Sequence, residues 1–397
     1  MNELREQNIQ PNTCIVHAGM IKTGTTSIQS SLFYNLRSDH FRFLTMDSYF
    51  GNLLVGSAFA GDYGIGERFI SHGVTAEMAE TVPAQSRDYF NRALAAAGAH
   101  QRTAILSAEM IGYLRRDGIE RLKAFLVDRG WKPRVILYVR APLDLFESRF
   151  QQRLRAGGIP SRIPCKFDDY IKQSSRMSYS EFPRLLDEVF GCENVTFQWF
   201  DPKRFPSCCV VRHFCEFAGV PIRDADILRE NDSLSLDALR FVYALMLAGR
   251  CKVGTRIDRL RHSLLLERLG ELRGPSLRFH PELVAPFVER VVPEMAWIES
   301  RLGEVLPLSL HPRGNAEGVK CEADLLDFSA ESLDWLAKTS GRGVVKPKRS
   351  SDMVHAVVDQ LESIGLLGSP RRVCRAVLAR AHELLRRASL RSQNLKP

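Results

Sequence analysis

A short segment near the start of the chain combines the residue types that bind an anion. After the apolar run of residues 14–18, the sequence reads Gly19-Met20-Ile21-Lys22-Thr23-Gly24-Thr25-Thr26-Ser27, and apolar residues then recur at helical spacing. The pattern predicts a strand, a loop and a helix. Unpaired N–H groups at the start of such a helix, together with its dipole, favour a phosphate-like group. Lys22 adds a positive charge, and hydroxyl donors come from Thr23, Thr25, Thr26 and Ser27.

The position of the lysine indicates which anion this loop binds. A nucleotide-hydrolysing P-loop has glycine, four residues, glycine, lysine and then serine or threonine. Gly19, Gly24 and Thr26 fit that frame, but Thr25 stands where the lysine would be, and Lys22 lies within the loop. In an NTPase the lysine reaches the β- and γ-phosphates. An ammonium group placed earlier is expected near the first phosphate of a shorter ligand.

A second candidate phosphate-binding segment follows an apolar run in the middle of the chain. Residues 135–139 are continuously apolar, which is typical of a parallel strand covered on both faces. Arg140 follows at the carboxyl end, Pro142 begins a helix, and Ser148 lies about two turns into it. From these positions Arg140 and Ser148 could both reach one phosphate. Arginine suits this task because a guanidinium donates paired hydrogen bonds to phosphate oxygens.

The two segments together resemble those of sulfotransferases that use 3′-phosphoadenosine 5′-phosphosulfate (PAPS). Residues 22–27 resemble the loop that binds the 5′-phosphosulfate, and Arg140 with Ser148 resembles the pair that holds the 3′-phosphate. The later order of strands and helices, to about residue 305, is also similar to that of bacterial sulfotransferases. The resemblance implies an α/β protein with a parallel sheet flanked by helices, of the fold related to P-loop nucleotide kinases.

The adenine contacts stay open. Cytosolic animal sulfotransferases carry a late Arg-Lys-Gly-x-x-Gly segment that contacts the 3′-phosphate and adenine, and this chain lacks it. Tyr179 and Trp199 could stack on the base or could be core aromatics.

Sulfuryl transfer, like phosphoryl transfer, needs a cation at the leaving oxygen and a base for the acceptor. Lys22 is expected to stabilise the departing phosphate, so it is assigned both to catalysis and to PAPS binding, and no metal is expected. Glu109 is the first candidate base. It follows the apolar residues 103–107 and so faces the carboxyl edge of a sheet, where open α/β folds bind ligands. The alternatives are His40, Asp47 and His17, of which His17 could instead be a core histidine.

Composition and charge set the wider limits. The chain has 397 residues and a formal net charge of +9, which favours an acidic ligand or surface. Its first residues lack the apolar core of a secretory signal, and no apolar run approaches membrane-spanning length. Nine cysteines show no Cys-x-x-Cys spacing, so neither a disulfide framework nor a zinc site is indicated. We expect a cytoplasmic protein.

The resemblance and a change in composition near residue 310 predict a sulfotransferase domain, residues 1–310, and a helical, basic C-terminal extension, residues 311–397. Residues 41–73 are rich in glycine and aromatic residues and are expected to be irregular, either as a wall of the acceptor site or as a solvent-facing insertion. From Arg371 the tail is dominated by arginine; it could contact an anionic membrane peripherally, or it could be a solvated basic helix.

The functional hypothesis is transfer of a sulfuryl group from PAPS to a hydroxyl or amine of a glycan, lipid glycan or other small molecule, with no nucleic-acid partner. Two alternatives stay open. One is a P-loop kinase or NTPase, which Thr25 disfavours. The other is a nucleic-acid- or membrane-binding module driven by the basic tail.

Overall fold

The computed structural model describes residues 12–20, 22–45, 48–61, 76–155, 166–174, 178–229, 233–250, 256–306, 318–344 and 350–364. The chain divides into two compact units. The first consists of Met1–Leu145, Ser178–Asn231 and Val288–Leu310. The second consists of Phe146–Met177, Asp232–Phe287 and His311–Pro397. A boundary at residue 310, as expected from composition, stays a prediction.

The first unit is built on a sheet of five parallel strands. The strands are β1 (Thr13–Ala18), β2 (Phe41–Phe43), β3 (Thr103–Ala108), β4 (Lys132–Val139) and β5 (Val195–Trp199), in the spatial order β2-β3-β1-β4-β5. β1 lies in the centre, and Ala18 at its end is level with Ala108 of β3 and Leu137 of β4. The segments that leave β1, β3 and β4 therefore start side by side at the carboxyl edge of the sheet. The parallel sheet flanked by helices, which the resemblance implied, is confirmed as an α/β architecture.

Helices flank the sheet and make up most of the second unit. In chain order the described α-helices are α1 (Thr25–Asn35), α2 (Ser48–Phe59), α3 (Ala76–Ala99), α4 (Arg116–Val127), α5 (Pro142–Arg155), α6 (Phe167–Ser174), α7 (Glu181–Phe190), α8 (Val210–Ala218), α9 (Leu236–Leu247), α10 (Arg256–Leu269), α11 (Pro281–Leu302), α12 (Ala330–Ser340) and α13 (Ser350–Ser363). α5 and α11 each contribute residues to both units. Among the described helices, none combines the length and the apolar character needed to cross a bilayer.

One face of the sheet is closed by α1 and α8. Sheet residues such as Ile15, Ile136 and Tyr138 are buried against Ile28 of α1 and Phe214 of α8. These side chains are at most 1% exposed, so each contributes about 1.5 to 3 kcal/mol to folding through burial. This packing holds α1 directly behind the end of β1, which is where the candidate loop lies.

The expectation of irregular structure over residues 41–73 is wrong for the part that the structure describes. β2 and α2 lie in this segment, and residues 62–75 lie outside the described residues. Val55, Ala58 and Phe59 are buried at helical spacing in α2, and the Phe59 ring packs 5.8 Å from that of Phe90 in α3. Tertiary packing therefore overrides the low helix propensity of the glycines in α2.

The second unit has a core of aromatic residues and one buried carboxylate. Its buried rings come from Phe146, Phe150, Phe167, Tyr170, Tyr243 and Phe279. Glu147, 6% exposed, accepts hydrogen bonds from Arg278 and from the N–H of Phe279. A buried carboxylate that is paired in this way is satisfied rather than available for chemistry. The basic tail from Arg371 lies outside the described residues.

His17 lies in β1 and is fully buried. Its Nδ1 forms a hydrogen bond with the Ser107 hydroxyl at 2.8 Å, and its ring packs against the rings of Tyr138 and Phe214. Burial lowers the pKa of His17 from 6.5 to about 3, so the ring is neutral at physiological pH. The side chain is that of a core histidine, which was one of the two alternatives.

This burial makes folding sensitive to acid. Below pH 6.5 the unfolded chain binds a proton at His17 that the folded chain does not bind until about pH 3, so the free energy of unfolding falls as pH is lowered through this range. At pH 5 this difference in proton binding lowers the free energy of unfolding by about 2 kcal/mol relative to neutral pH. We expect urea unfolding of the wild type at pH 7 and pH 5 to differ more than that of His17→Gln, by about this amount. An identical pH dependence in the two proteins would contradict the assignment.

Candidate functional site

The loop between β1 and α1 places an uncapped helix N-terminus at the carboxyl edge of the sheet. α1 begins at Thr25, with Gly24 as its N-cap at φ 75°. Within the described part of the chain no side chain caps the helix, and its first turn contains no acidic residue. The Gly24 carbonyl accepts the first helical hydrogen bond, from the N–H of Ile28 at 3.1 Å. The positive end of the helix dipole is therefore not neutralised by a carboxylate of the helix itself, which favours an anion.

Both glycines of the loop are required by close contacts. A Cβ at Gly19 would lie 2.4 Å from Oγ1 of Thr25 and 3.3 Å from Cα of Glu109. A Cβ at Gly24 would lie 2.5 Å from Cγ1 of Val210 in α8, in a backbone conformation that side chains rarely adopt. The loop therefore packs tightly against β3 and α8 because it lacks side chains at these two positions.

Lys22 has a strained backbone that neighbouring groups hold in place. Its φ is 64°, which is uncommon for a residue other than glycine and costs about 1 to 2 kcal/mol. The Thr23 hydroxyl donates to the Met20 carbonyl at 2.7 Å and closes the turn before it. Nη1 of Arg140 donates to the Lys22 carbonyl. Thr23 is fully buried, and this hydroxyl serves the loop itself.

The side chain at the P-loop lysine position faces the protein interior. Thr25 is 3% exposed, and its Oγ1 lies against Gly19 without a hydrogen-bond partner among the described residues. Thr26 is half-buried in the first turn of α1, and Ser27 is buried. The cation of this loop comes from Lys22, on the other side of Gly24.

The structure brings the Arg140 guanidinium to the loop. Arg140 follows the last residue of β4, the strand beside β1, so its guanidinium reaches the carbonyl of Lys22. Its Cζ lies 5.7 Å from the ring centroid of Phe200, within the range of a cation–π contact. Its own carbonyl accepts a hydrogen bond from the Tyr179 hydroxyl. The guanidinium of Arg140 therefore lies at the backbone turn that carries Lys22, although the two residues are distant in sequence.

Ser148 lies on α5, where it is 8% exposed, in the residues assigned to the second unit. Its approach to the loop and to Arg140 stays a prediction.

Glu109 lies beside the loop. It is the first residue after β3, and because Ala18 pairs with Ala108, Gly19 and Glu109 leave the sheet next to each other. The following N–H, that of Met110, donates to Oδ1 of Asn52 in α2 at 3.0 Å. This contact anchors the short 3-10 helix Glu109–Tyr113 in which the carboxylate stands. The position of Glu109 suits a base, and that role stays a prediction.

His40 is not part of this site. Its carbonyl accepts the N–H of Thr103 at the start of β3, which places it at the amino edge of the sheet, whereas the loop lies at the carboxyl edge. The length of β3 separates the two by about 17 Å. We therefore remove His40 from the candidate bases. Asp47 lies outside the described residues, and His17 is enclosed in the core.

Two supporting contacts are not predictable from the sequence. Gln29 of α1 donates to the Ser107 carbonyl at 2.6 Å, which ties the helix behind the loop to β3. The Tyr179 backbone N–H donates to Glu294 of α11 at 2.6 Å. Tyr179 and Trp199 are both 4% exposed, as core aromatics are. In both contacts the two partners are distant in sequence, so no local spacing predicts that they meet.

Comparison of the chain with protein-family models, with curated proteins and with solved structures gives no match. What this site binds is therefore inferred from its own chemistry. A helix N-terminus and the Arg140 guanidinium lie at the turn that carries Lys22, and Glu109 leaves the neighbouring strand beside it. Such an arrangement can bind a phosphate and accept a proton from a neighbouring hydroxyl.

Gly24 and Gly130 offer a matched test of how tightly the loop is packed. Both have a left-handed backbone, with φ of 75° and 76°, but a Cβ at Gly130 would meet nothing within 4 Å. We expect Gly130→Ala to lower the free energy of unfolding by about 1 kcal/mol, from backbone strain alone. Gly24→Ala should cost about 1 to 3 kcal/mol more, because Val210 must move.

Thermal or urea unfolding measures the difference. Val210→Ala should be better tolerated in the Gly24→Ala protein than in the wild type, since it removes the clashing methyl groups. Equal costs for the two glycine substitutions would show that Gly24 is needed only for its backbone conformation.

Proposed function

We propose that this chain transfers a sulfuryl group from PAPS to a hydroxyl or amine of a small-molecule or glycan acceptor. The hydrogen bond from Arg140 to the Lys22 carbonyl carries this proposal. It joins two cationic residues 118 positions apart at the uncapped start of α1. These are the two segments whose residues resemble the sulfotransferase sites for the 5′-phosphosulfate and the 3′-phosphate.

The residues of the loop fit an anionic ligand. Gly19 and Gly24 let the loop pack closely where a Cβ would collide with Thr25 or Val210. The absence of an acidic residue in the first turn of α1 avoids repulsion of a phosphate.

Each residue then has a distinct task. PAPS supplies an activated sulfuryl group whose leaving group is a nucleoside bisphosphate. Lys22, with the amides of residues 24–26, would hold the 5′-phosphosulfate and stabilise negative charge at the bridging oxygen. Arg140, with Ser148, would hold the 3′-phosphate. Glu109 would take the proton from the acceptor hydroxyl or amine, which requires hydrogen-bond distance to it.

A P-loop kinase or NTPase is less well supported. Its lysine position is occupied by Thr25, whose buried side chain faces Gly19 rather than a ligand phosphate. The finer fold assignment, to the sulfotransferase branch of P-loop kinase-like proteins, depends on the same difference.

We infer the setting of the enzyme more broadly. Cys14, Cys209 and Cys215 are buried free thiols, which accords with a reducing cytoplasm. The net charge of +9 accords with an anionic acceptor such as a glycan or a lipid glycan, and with peripheral contact of the basic tail with an anionic membrane.

Binding of 3′-phosphoadenosine 5′-phosphate tests the proposal. Arg140→Ala should weaken binding roughly 10- to 100-fold, because a charge-assisted contact to phosphate is lost. Arg134→Ala is the matched control: it lies on the same strand at the other edge of the sheet, with its guanidinium 4.1 Å above the ring of Phe217. This control should bind as the wild type does. Isothermal titration calorimetry with each protein measures the affinities.

Lys22→Ala should reduce the rate of sulfuryl transfer by roughly a hundredfold or more, corresponding to about 3 kcal/mol of transition-state stabilisation. The exposed Lys338, on α12, provides a control substitution that should leave the rate unchanged. A wild-type protein that binds ATP with magnesium and does not bind the bisphosphate would reject the proposal in favour of a kinase or NTPase.

Glu109→Gln separates the base from the binding residues. The amide cannot accept the acceptor's proton, so we expect kcat to fall roughly 100-fold or more with bisphosphate affinity unchanged. Glu120→Gln, on the exposed surface of α4, is the control. Steady-state kinetics and calorimetry on the same samples give both quantities. A Glu109→Gln enzyme with normal kcat would show that another residue takes the proton.

A further inference from the structure

The backbone carbonyl of Arg140 accepts a hydrogen bond from a buried tyrosine. The Tyr179 hydroxyl donates to the Arg140 carbonyl, and Tyr179 is 4% exposed. Burial, followed by the charges of Asp144 and Glu294, raises the pKa of Tyr179 well above its ordinary value. The hydroxyl therefore stays protonated at any physiological pH and remains a donor to this carbonyl.

Tyr179 is itself fixed by one carboxylate. Oε2 of Glu294 accepts three hydrogen bonds, from the N–H of Tyr179 at 2.6 Å, the N–H of Ser180 at 2.6 Å and the hydroxyl of Ser178 at 2.9 Å. The other oxygen, Oε1, accepts from Arg290 one turn earlier on α11, at 3.2 Å. Burial acts to raise the pKa of Glu294, but these hydrogen bonds outweigh it, and the pKa is lowered. The carboxylate is therefore ionised at neutral pH.

These contacts form a continuous chain that ends at the candidate loop. It runs from Glu294 through Tyr179 to the backbone of Arg140, and from the Arg140 guanidinium to the carbonyl of Lys22. Tyr179 contacts the backbone of Arg140, while the other end of the same residue contacts the loop. Fixing that backbone limits where the long side chain can place its guanidinium.

We propose that Tyr179, anchored by Glu294, is a positioning residue that aims Arg140 at the ligand's ribose phosphate. This inference depends on the proposed function, in which Arg140 holds the 3′-phosphate. Tyr179 does not need to touch the nucleotide, because its effect passes through Arg140. Its removal should therefore weaken binding only of ligands that carry the phosphate contacted by Arg140.

The test compares two nucleotides that differ in one phosphate. Calorimetry measures binding of 3′-phosphoadenosine 5′-phosphate and of adenosine 5′-phosphate to the full chain. Tyr179→Phe keeps the ring and removes the hydroxyl, so we expect about a fivefold to tenfold loss of affinity for the bisphosphate. Affinity for the monophosphate should change less than about twofold.

Two further variants check the route. In the Arg140→Ala background, Tyr179→Phe should cause no additional loss of bisphosphate affinity, because the guanidinium that it positions is gone. Glu294→Gln should reproduce the selective loss, because an amide cannot replace a carboxylate toward three donors and an arginine.

Tyr243→Phe is the matched control: it removes a buried tyrosine hydroxyl that bonds to Glu322 and to the N–H of Phe167. This control should leave both affinities unchanged.

The outcomes separate the two proposals. A selective loss that disappears in the Arg140→Ala background supports the positioning role. Equal losses for both nucleotides, no loss at all, or a loss that persists without the arginine would overturn it while leaving the proposed function intact. A wild-type protein that does not bind the bisphosphate would reject the proposed function, and the positioning role with it.

Discussion

The hydrogen bond between the Arg140 guanidinium and the Lys22 carbonyl is the contact on which the candidate site depends. It fixes a loop residue whose backbone is in the left-handed region, and it brings a second cation to the start of α1. The Thr23 hydroxyl closes the turn from within, and the Arg140 guanidinium holds it from the neighbouring strand. A positively charged side chain therefore lies at a helix N-terminus, which is an arrangement that favours an anion.

The order of the strands brings Lys22 and Arg140 to the same edge of the sheet. β1 lies between β3 and β4, so residues that follow these three strands emerge at neighbouring positions of one edge. Glu109 arrives on one side of the loop and Arg140 on the other. A carboxylate-bearing residue and a guanidinium-bearing residue therefore flank the turn at the carboxyl edge of the sheet, where open α/β folds bind ligands. Packing of α1 and α8 on the same face of the sheet keeps the turn in register.

Sequence reasoning succeeded where a long local pattern existed and failed where it did not. The buried run before Arg140 and the glycine-containing loop before α1 each identify a strand end, so both could be found without a structure. His40 was wrong as a candidate base because it lies at the amino edge of the sheet, just before β2. A three-residue strand carries too little pattern to predict on which edge the residue before it lies. The contact between Tyr179 and Glu294 joins residues 115 positions apart, and nothing in the local sequence around either one indicates the other.

A crystal structure of the chain with 3′-phosphoadenosine 5′-phosphate would test most directly whether the Lys22 loop and Arg140 bind the two phosphates of one nucleotide. We expect the 5′-phosphate at the first amides of α1 beside Lys22, and the 3′-phosphate in contact with the Arg140 guanidinium. A bisphosphate bound elsewhere, or bound in the loop with its 3′-phosphate away from Arg140, would contradict this expectation.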